Sequence, residues 1–196
     1  MRVAGITIMS LVAGGALYGR SNIPDPQHRV TVCMDQTDTR VAPGVLLFSR
    51  GLASRMFAGI GVQIDWRSNL NQCPDGGIRI RLNFHTPESL RPGALAYARP
   101  YDGTNILLFY DRIAEIPSKQ QVPYVLGHVL AHEITHILQG ISRHSASGVM
   151  KANWTPYDFA CMLVQPLRFE EQDVDLIYAG LARRESRTSS EDTPMP

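Results

Sequence analysis

The segment VPYVLGHVLAHEITHILQG, residues 122 to 140, restricts the fold more than any other part of the chain. Pro123 suits the first turn of a helix, where its missing N–H is no loss, and Gly140 suits the position just past a helix end. Between them, apolar residues cover most of the helical circumference instead of one stripe, so the helix is expected to be buried. It also carries groups that are costly to bury without a partner, namely His128, His132, Glu133 and His136.

The neighbouring segments supply the other layers. HRVTVCM (28–34), GVQIDWR (61–67) and GIRIRLNF (77–84) read as strands, from β-branched content or alternation. VAPGVLLFSRGLASRMFAGIG (41–61) carries Val45, Leu46, Leu52, Met56 and Phe57 at helical spacing and ends at glycines, so it reads as a long helix. ALAYARPYDGTNILLFYDRI (94–113) reads as two strands joined at Pro100, Asp102 and Gly103. Residues 145–160 read as turn-rich. Residues 166–184 read as a last helix with Gly180 near its end, and 185–196 as a disordered polar tail. This order predicts an α/β (α+β) domain over 28–184 with a mixed sheet and few helices.

The N-terminus, MRVAGITIMSLVAGGALYGR, has an early arginine, an apolar stretch and then small residues. It is expected to be a signal peptide over 1–20, too short and glycine-rich to span a membrane stably. That predicts a secreted or periplasmic protein; the alternative is an apolar first strand or a misassigned start in a cytoplasmic one. A net charge of +1 with scattered arginines gives no sign of a nucleic-acid partner. Three cysteines, Cys33, Cys73 and Cys161, leave two options open: one bridge with a free thiol, or three reduced thiols. No CxxC pair exists among them to suggest a metal site. Nothing in the sequence indicates an oligomeric state.

The chemistry lies in HEITH. His132 and His136 are one helical turn apart, so both imidazoles project from one face and can reach one zinc ion. Glu133 lies about 100° around the helix, where it can face a metal-bound water and take its proton. His128 continues the series, but it is about 12 Å along the axis from His136, so both cannot ligate one ion. It is expected to be a core residue or to support the ligands from behind. A third ligand must come from elsewhere. Gly140 can turn the chain back, and His144 follows four residues later. Three histidines and an open fourth position are the pattern of a catalytic zinc site.

These residues resemble the metzincin clan of zinc peptidases, whose motif HExxHxxGxxH precedes a methionine-containing turn. His132, Glu133, His136, Gly140 and His144 match it in order, and SGVM (147–150) is similar to the Met-turn, with Met150 beneath the zinc. His144-Ser145 and EEQDVDLIYAGL are similar to matrixin-like members. The spacing departs from the motif: glycine follows the second histidine by four residues instead of three, and the third histidine follows it by eight instead of six. The resemblance implies a twisted mixed sheet, a long N-terminal helix, a buried active-site helix, a Met-turn and a C-terminal helix. It also implies that Leu95, Ala96 and Tyr97 offer backbone groups to an extended peptide by strand addition. Residues 151–157 would wall the pocket, with Tyr157 a candidate transition-state donor.

The expected function is a zinc-dependent endopeptidase acting on peptides or proteins, with one zinc ion and Glu133 as general base. Two alternatives remain. One is a gluzincin-type peptidase whose third ligand is Glu170 or Glu171. The other is a non-catalytic, zinc-stabilised binding domain.

Overall fold

A computed structural model of the chain describes residues 28–34, 40–101, 103–116 and 118–191. The expected signal segment, the turn residue Asp102 and the last five residues lie outside these.

The sheet has five strands: β1 (His28–Met34), β2 (Val62–Arg67), β3 (Ile78–Asn83), β4 (Ala96–Ala98) and β5 (Asn105–Phe109). Their spatial order is β2-β1-β3-β5-β4. Four run parallel, and β4 closes one edge antiparallel to β5. Five helices join them: α1 (Pro43–Ala58), α2 (Tyr110–Ala114), α3 (Val122–Gln139), α4 (Pro156–Val164) and α5 (Glu171–Glu191). This is the expected mixed α/β architecture, with a long first helix, a buried one and a C-terminal one. No helix among the described residues is long and apolar enough to cross a membrane.

The helix α3 lies where its sequence demands. Val125, Leu126, Leu130, Ile134 and Leu138 are all buried, and it packs most extensively on α1 and then on α5. Gly140 ends it in the left-handed region at φ 71°, its N–H donating to the carbonyl of His136. The approach of α5 is set by Gly180: a Cβ there would meet the Leu138 carbonyl oxygen at 1.7 Å. That glycine is therefore mid-helix and does not mark an end. The helix continues to Glu191, because no proline or glycine follows Gly180 until Pro194. The stretch 185–191, expected as tail, is helical.

Three further boundaries differ from expectation. Residues 166–170 are not helical; instead Leu167 donates its N–H to His128 Nε2 (3.0 Å), and Arg168 accepts from the Val149 N–H (2.9 Å). Residues 110–113 leave the strand for the short helix α2. Within the turn-rich region α4 forms behind Thr155, whose hydroxyl accepts the Asp158 N–H while the Asp158 carboxylate accepts the Thr155 N–H. This reciprocal pair satisfies two donors that a helix start leaves open.

Cys33 and Cys73 form a disulfide with a Cα–Cα distance of 5.8 Å, and Cys161 is free. Of the two cysteine arrangements left open above, this is one bridge with a free thiol.

Candidate metal centre

Two of the histidines are positioned by the helix and oriented by the chain that follows it. His132 Nδ1–H donates to the Val149 carbonyl at 2.8 Å, and His136 Nδ1–H donates to the Ile141 carbonyl at 3.1 Å. A neutral imidazole that donates at Nδ1 has a bare lone pair at Nε2. The two Nε2 atoms lie 3.0 Å apart. Two acceptors at that distance repel unless a proton or cation sits between them. A tetrahedral zinc with Zn–N bonds of about 2.0–2.1 Å holds its nitrogens roughly 3.3 Å apart, so the pair fits that ion.

His144 completes the group. The ligand atoms of His132, His136 and His144 all lie within 4.8 Å of one another. The longer connection therefore still delivers His144, and the reason lies on α5. Asp173 is fully buried and accepts from Arg143 Nη1 (2.8 Å) and Ser145 Oγ (2.6 Å), the residues on either side of His144. It also accepts the Glu170 N–H at 3.2 Å, which caps the start of α5. One carboxylate thus pins both the ligand loop and the last helix.

Burial drives the titration of the site. It pushes His132 down to about 3, helped by the charges of His136 and His144, and His136 down to about 4, helped by that of His144. Both imidazoles are therefore neutral near pH 7, which is the ligating form. Burial pushes Glu133 up to about 8, against a smaller opposing pull from the Ala98 backbone N–H and the Arg91 charge. A nearby cation would return it to the carboxylate.

His128 stands apart, as its axial distance requires. It is fully buried, donates from Nδ1 to the Tyr124 carbonyl (2.8 Å) and accepts the Leu167 N–H at Nε2. Both ring nitrogens are used, so it has none for a metal. Neither Glu170 nor Glu171 joins the histidine group. Glu170 instead accepts from the Ser147 hydroxyl, and both glutamates line a separate hollow beside Arg143. The carboxylate-ligand alternative has no support in this arrangement.

The histidines open into a cleft of about 700 Å³, walled on one side by residues 91–101 and on the other by Ser142, His144 and residues 151–154. Trp154 stands edge-on to His132, with ring centroids 5.7 Å apart. Register corrects the expected peptide-binding edge. Phe109 N–H donates to the Leu95 carbonyl, and Arg99 N–H to the Asn105 carbonyl. In an antiparallel pair the hydrogen-bonded positions alternate, so Leu95, Tyr97 and Arg99 turn their backbone groups to β5. Of the three expected residues only Ala96 directs its N–H and carbonyl to the open side; Ala98 shares its register, but its N–H is engaged by the Glu133 carboxylate.

Tyr157 is also corrected. It lies on α4, 75% exposed, and does not line the cleft. Tyr101 lines it instead, and its hydroxyl accepts the Ser142 N–H at 3.4 Å, linking the two walls. Met150 is fully buried, and its carbonyl accepts the Ser145 N–H at 2.8 Å.

No protein-family model matches the sequence, and no curated protein matches it significantly. Solved structures do resemble the fold. An archaemetzincin from Methanopyrus kandleri is 14% identical, with 79% of this chain and 97% of that one covered and a TM-score of 0.54. A zinc-dependent peptidase from Methanocorpusculum labreanum is 12% identical, with 76% and 99% covered and a TM-score of 0.52. The likeness is one of fold.

Proposed function

We propose that the chain is a metzincin-like zinc-dependent endopeptidase with one catalytic zinc. The observation that carries this reading is the convergence of three histidine nitrogens beside a buried glutamate, at the mouth of a cleft edged by an open strand. Zinc, when bound, supplies a Lewis acid that acidifies water and polarises a carbonyl.

The chain's own residues do the rest. His132, His136 and His144 hold the ion, with the Val149 and Ile141 carbonyls fixing the tautomer and tilt of the first two. Glu133 accepts the proton of the attacking water and passes it to the leaving amine. The N–H and carbonyl of Ala96 and the carbonyl of Ala98 present the open backbone edge along which an extended substrate can lie. Residues 147–150 act as the Met-turn. Their support is that Val149 orients His132 and Met150 binds the residue after His144. The Cys33–Cys73 bridge favours an oxidising compartment, in line with an export signal over 1–20.

The test is metal content together with peptide cleavage. One zinc per chain is expected in wild type and in Glu133→Gln, with hydrolysis lost only in the variant. His144→Ala is expected to lose most of its zinc. Hydrolysis retained by Glu133→Gln would remove the glutamate from the mechanism. Zinc-dependent peptide binding without cleavage in wild type would favour a binding domain instead.

A further inference from the structure

The charge along the cleft is one-sided. The only carboxylate lining it among the described residues is the buried Glu133. The basic residues there are Arg91, Arg99 and Lys151, and Lys151 is already paired with Asp158 at 2.6 Å. Arg91 and Arg99 are exposed and form no ion pair among the described residues. Their guanidinium carbons lie 3.6 and 5.6 Å from the centre of the Tyr97 ring, so both cations gather around that one aromatic ring.

The chain goes to some length to hold Arg91 there. Among the described residues it is the only non-glycine with positive φ, at 45°. Its loop is fastened by Arg112, whose guanidinium donates to the carbonyls of Pro87, Leu90, Arg91 and Ala94 at 2.7 to 3.0 Å. A strained residue persists where its surroundings over-determine it, and such residues gather at binding sites.

We propose that Arg91 and Arg99 form a subsite for an acidic side chain, so that the cleft selects peptides carrying Asp or Glu at one position. The proposal rests on the cleft being the peptide site proposed above. A peptide lying along β4 meets the outward N–H and carbonyl of Ala96 and the outward carbonyl of Ala98. Side chains directly opposite one another in paired strands share a face. The peptide residue opposite Tyr97 therefore points to the same face of the sheet as the Tyr97 side chain, which both guanidiniums contact. Its neighbours in the peptide point the other way, towards α3 and the histidines. Arginine is permanently charged and its planar fork matches a carboxylate. Stacking on Tyr97 further limits its freedom before binding.

The test uses two quenched fluorescent peptides identical except for Glu or Gln at the variable position, scanned along the sequence, with the zinc-loaded protein. At one position the Glu peptide is expected to show a KM lower by about tenfold at low salt, shrinking towards unity at about 0.5 M salt. In Arg91→Gln/Arg99→Gln the difference disappears, and in Arg91→Lys/Arg99→Lys part of it remains. Equal KM values at every position, or a preference that survives in the Gln double variant, would overturn the proposal. If neither peptide is cleaved, the peptidase reading fails on its own. Binding of the same peptides to the Glu133→Gln protein, followed by fluorescence anisotropy, then decides the subsite. Tighter binding of the Glu peptide, lost with both arginines, supports it. Equal binding rejects it.

Discussion

Gly180→Ala should destabilise the protein, although helix propensity alone predicts the reverse. Alanine is favoured over glycine inside a helix by about 1 kcal/mol. At position 180, however, the added Cβ would stand 1.7 Å from the Leu138 carbonyl oxygen and 2.8 Å from its carbon. Carbon–oxygen contacts settle at roughly 3.3 Å or more, so α5 and the end of α3 must part by about 1.5 Å. The atoms met are backbone and cannot swing aside. Ile177 and Leu181, 0% and 4% exposed on the same stretch of helix, would be drawn out of the core. Overpacking of this kind costs about 1–3 kcal/mol, and the upper end applies here. Net of propensity, the loss is about 2 kcal/mol, or roughly 4–8 °C in Tm for a chain of this size. Gly51→Ala provides the control. It sits inside α1, where a Cβ meets nothing closer than an Arg55 guanidinium nitrogen at 3.6 Å. It should gain up to about 1 kcal/mol. Thermal unfolding followed by circular dichroism, with chelator present, compares both variants with wild type. Equal or higher Tm for Gly180→Ala would refute the close-packing argument.

Asp173→Ala should weaken zinc binding by about 10–100-fold, measured by competition with a chromogenic chelator, whereas Glu171→Ala should leave it unchanged. Reducing the Cys33–Cys73 bridge, which spans 40 residues, should cost about 4 kcal/mol in denaturant melts; an unshifted midpoint would contradict this. The pH dependence of the metal-free protein should be two-sided. His132 and His136 have folded values of about 3 and 4 against a usual 6.5, so their contribution is present above 6.5 and is lost as pH falls through those values. Glu133 is raised from 4.5 to about 8, so its contribution is present at low pH and is lost as pH rises from 4.5 towards 8. Metal-free Tm should therefore peak near pH 6.5, and Glu133→Gln should remove the decline on the alkaline side. A wild-type and variant pair with the same alkaline slope would show that Glu133 does not carry it.

What the sequence revealed depended on how local each feature is. His132 and His136 are legible because a four-residue helical spacing alone puts them on one face. His144 is different: nothing local brings it to the other two histidines, and the residues on either side of it are held by Asp173, distant in sequence and fully buried. The same holds for Arg112 and Tyr101, whose roles exist only once the loop of residues 87–94 and the chain at Ser142 fold against them. Leu95 and Tyr97 were misassigned for a simpler reason. A strand's outward residues are decided by pairing register, which its own sequence does not state. Gly180 shows a genuine ambiguity, because a glycine near a helix end and a glycine at a helix crossing look alike. The start of α4 carries a local signal, the Thr155–Asp158 capping pair, within a stretch whose composition otherwise reads as turns.

The anchoring of His144 by Asp173 also sets an order of assembly. Synthesis delivers α3 first, with its two metal-facing imidazoles, then the loop that carries the third, and only then the helix that holds that loop still. The carbonyls that aim His132 and His136 belong to the loop that carries His144. A growing chain that has made α3 but not α5 therefore has a weak, two-armed grip on metal and an edge strand without a functioning centre. The three-histidine group is therefore held in its final geometry only once the last folded element is in place.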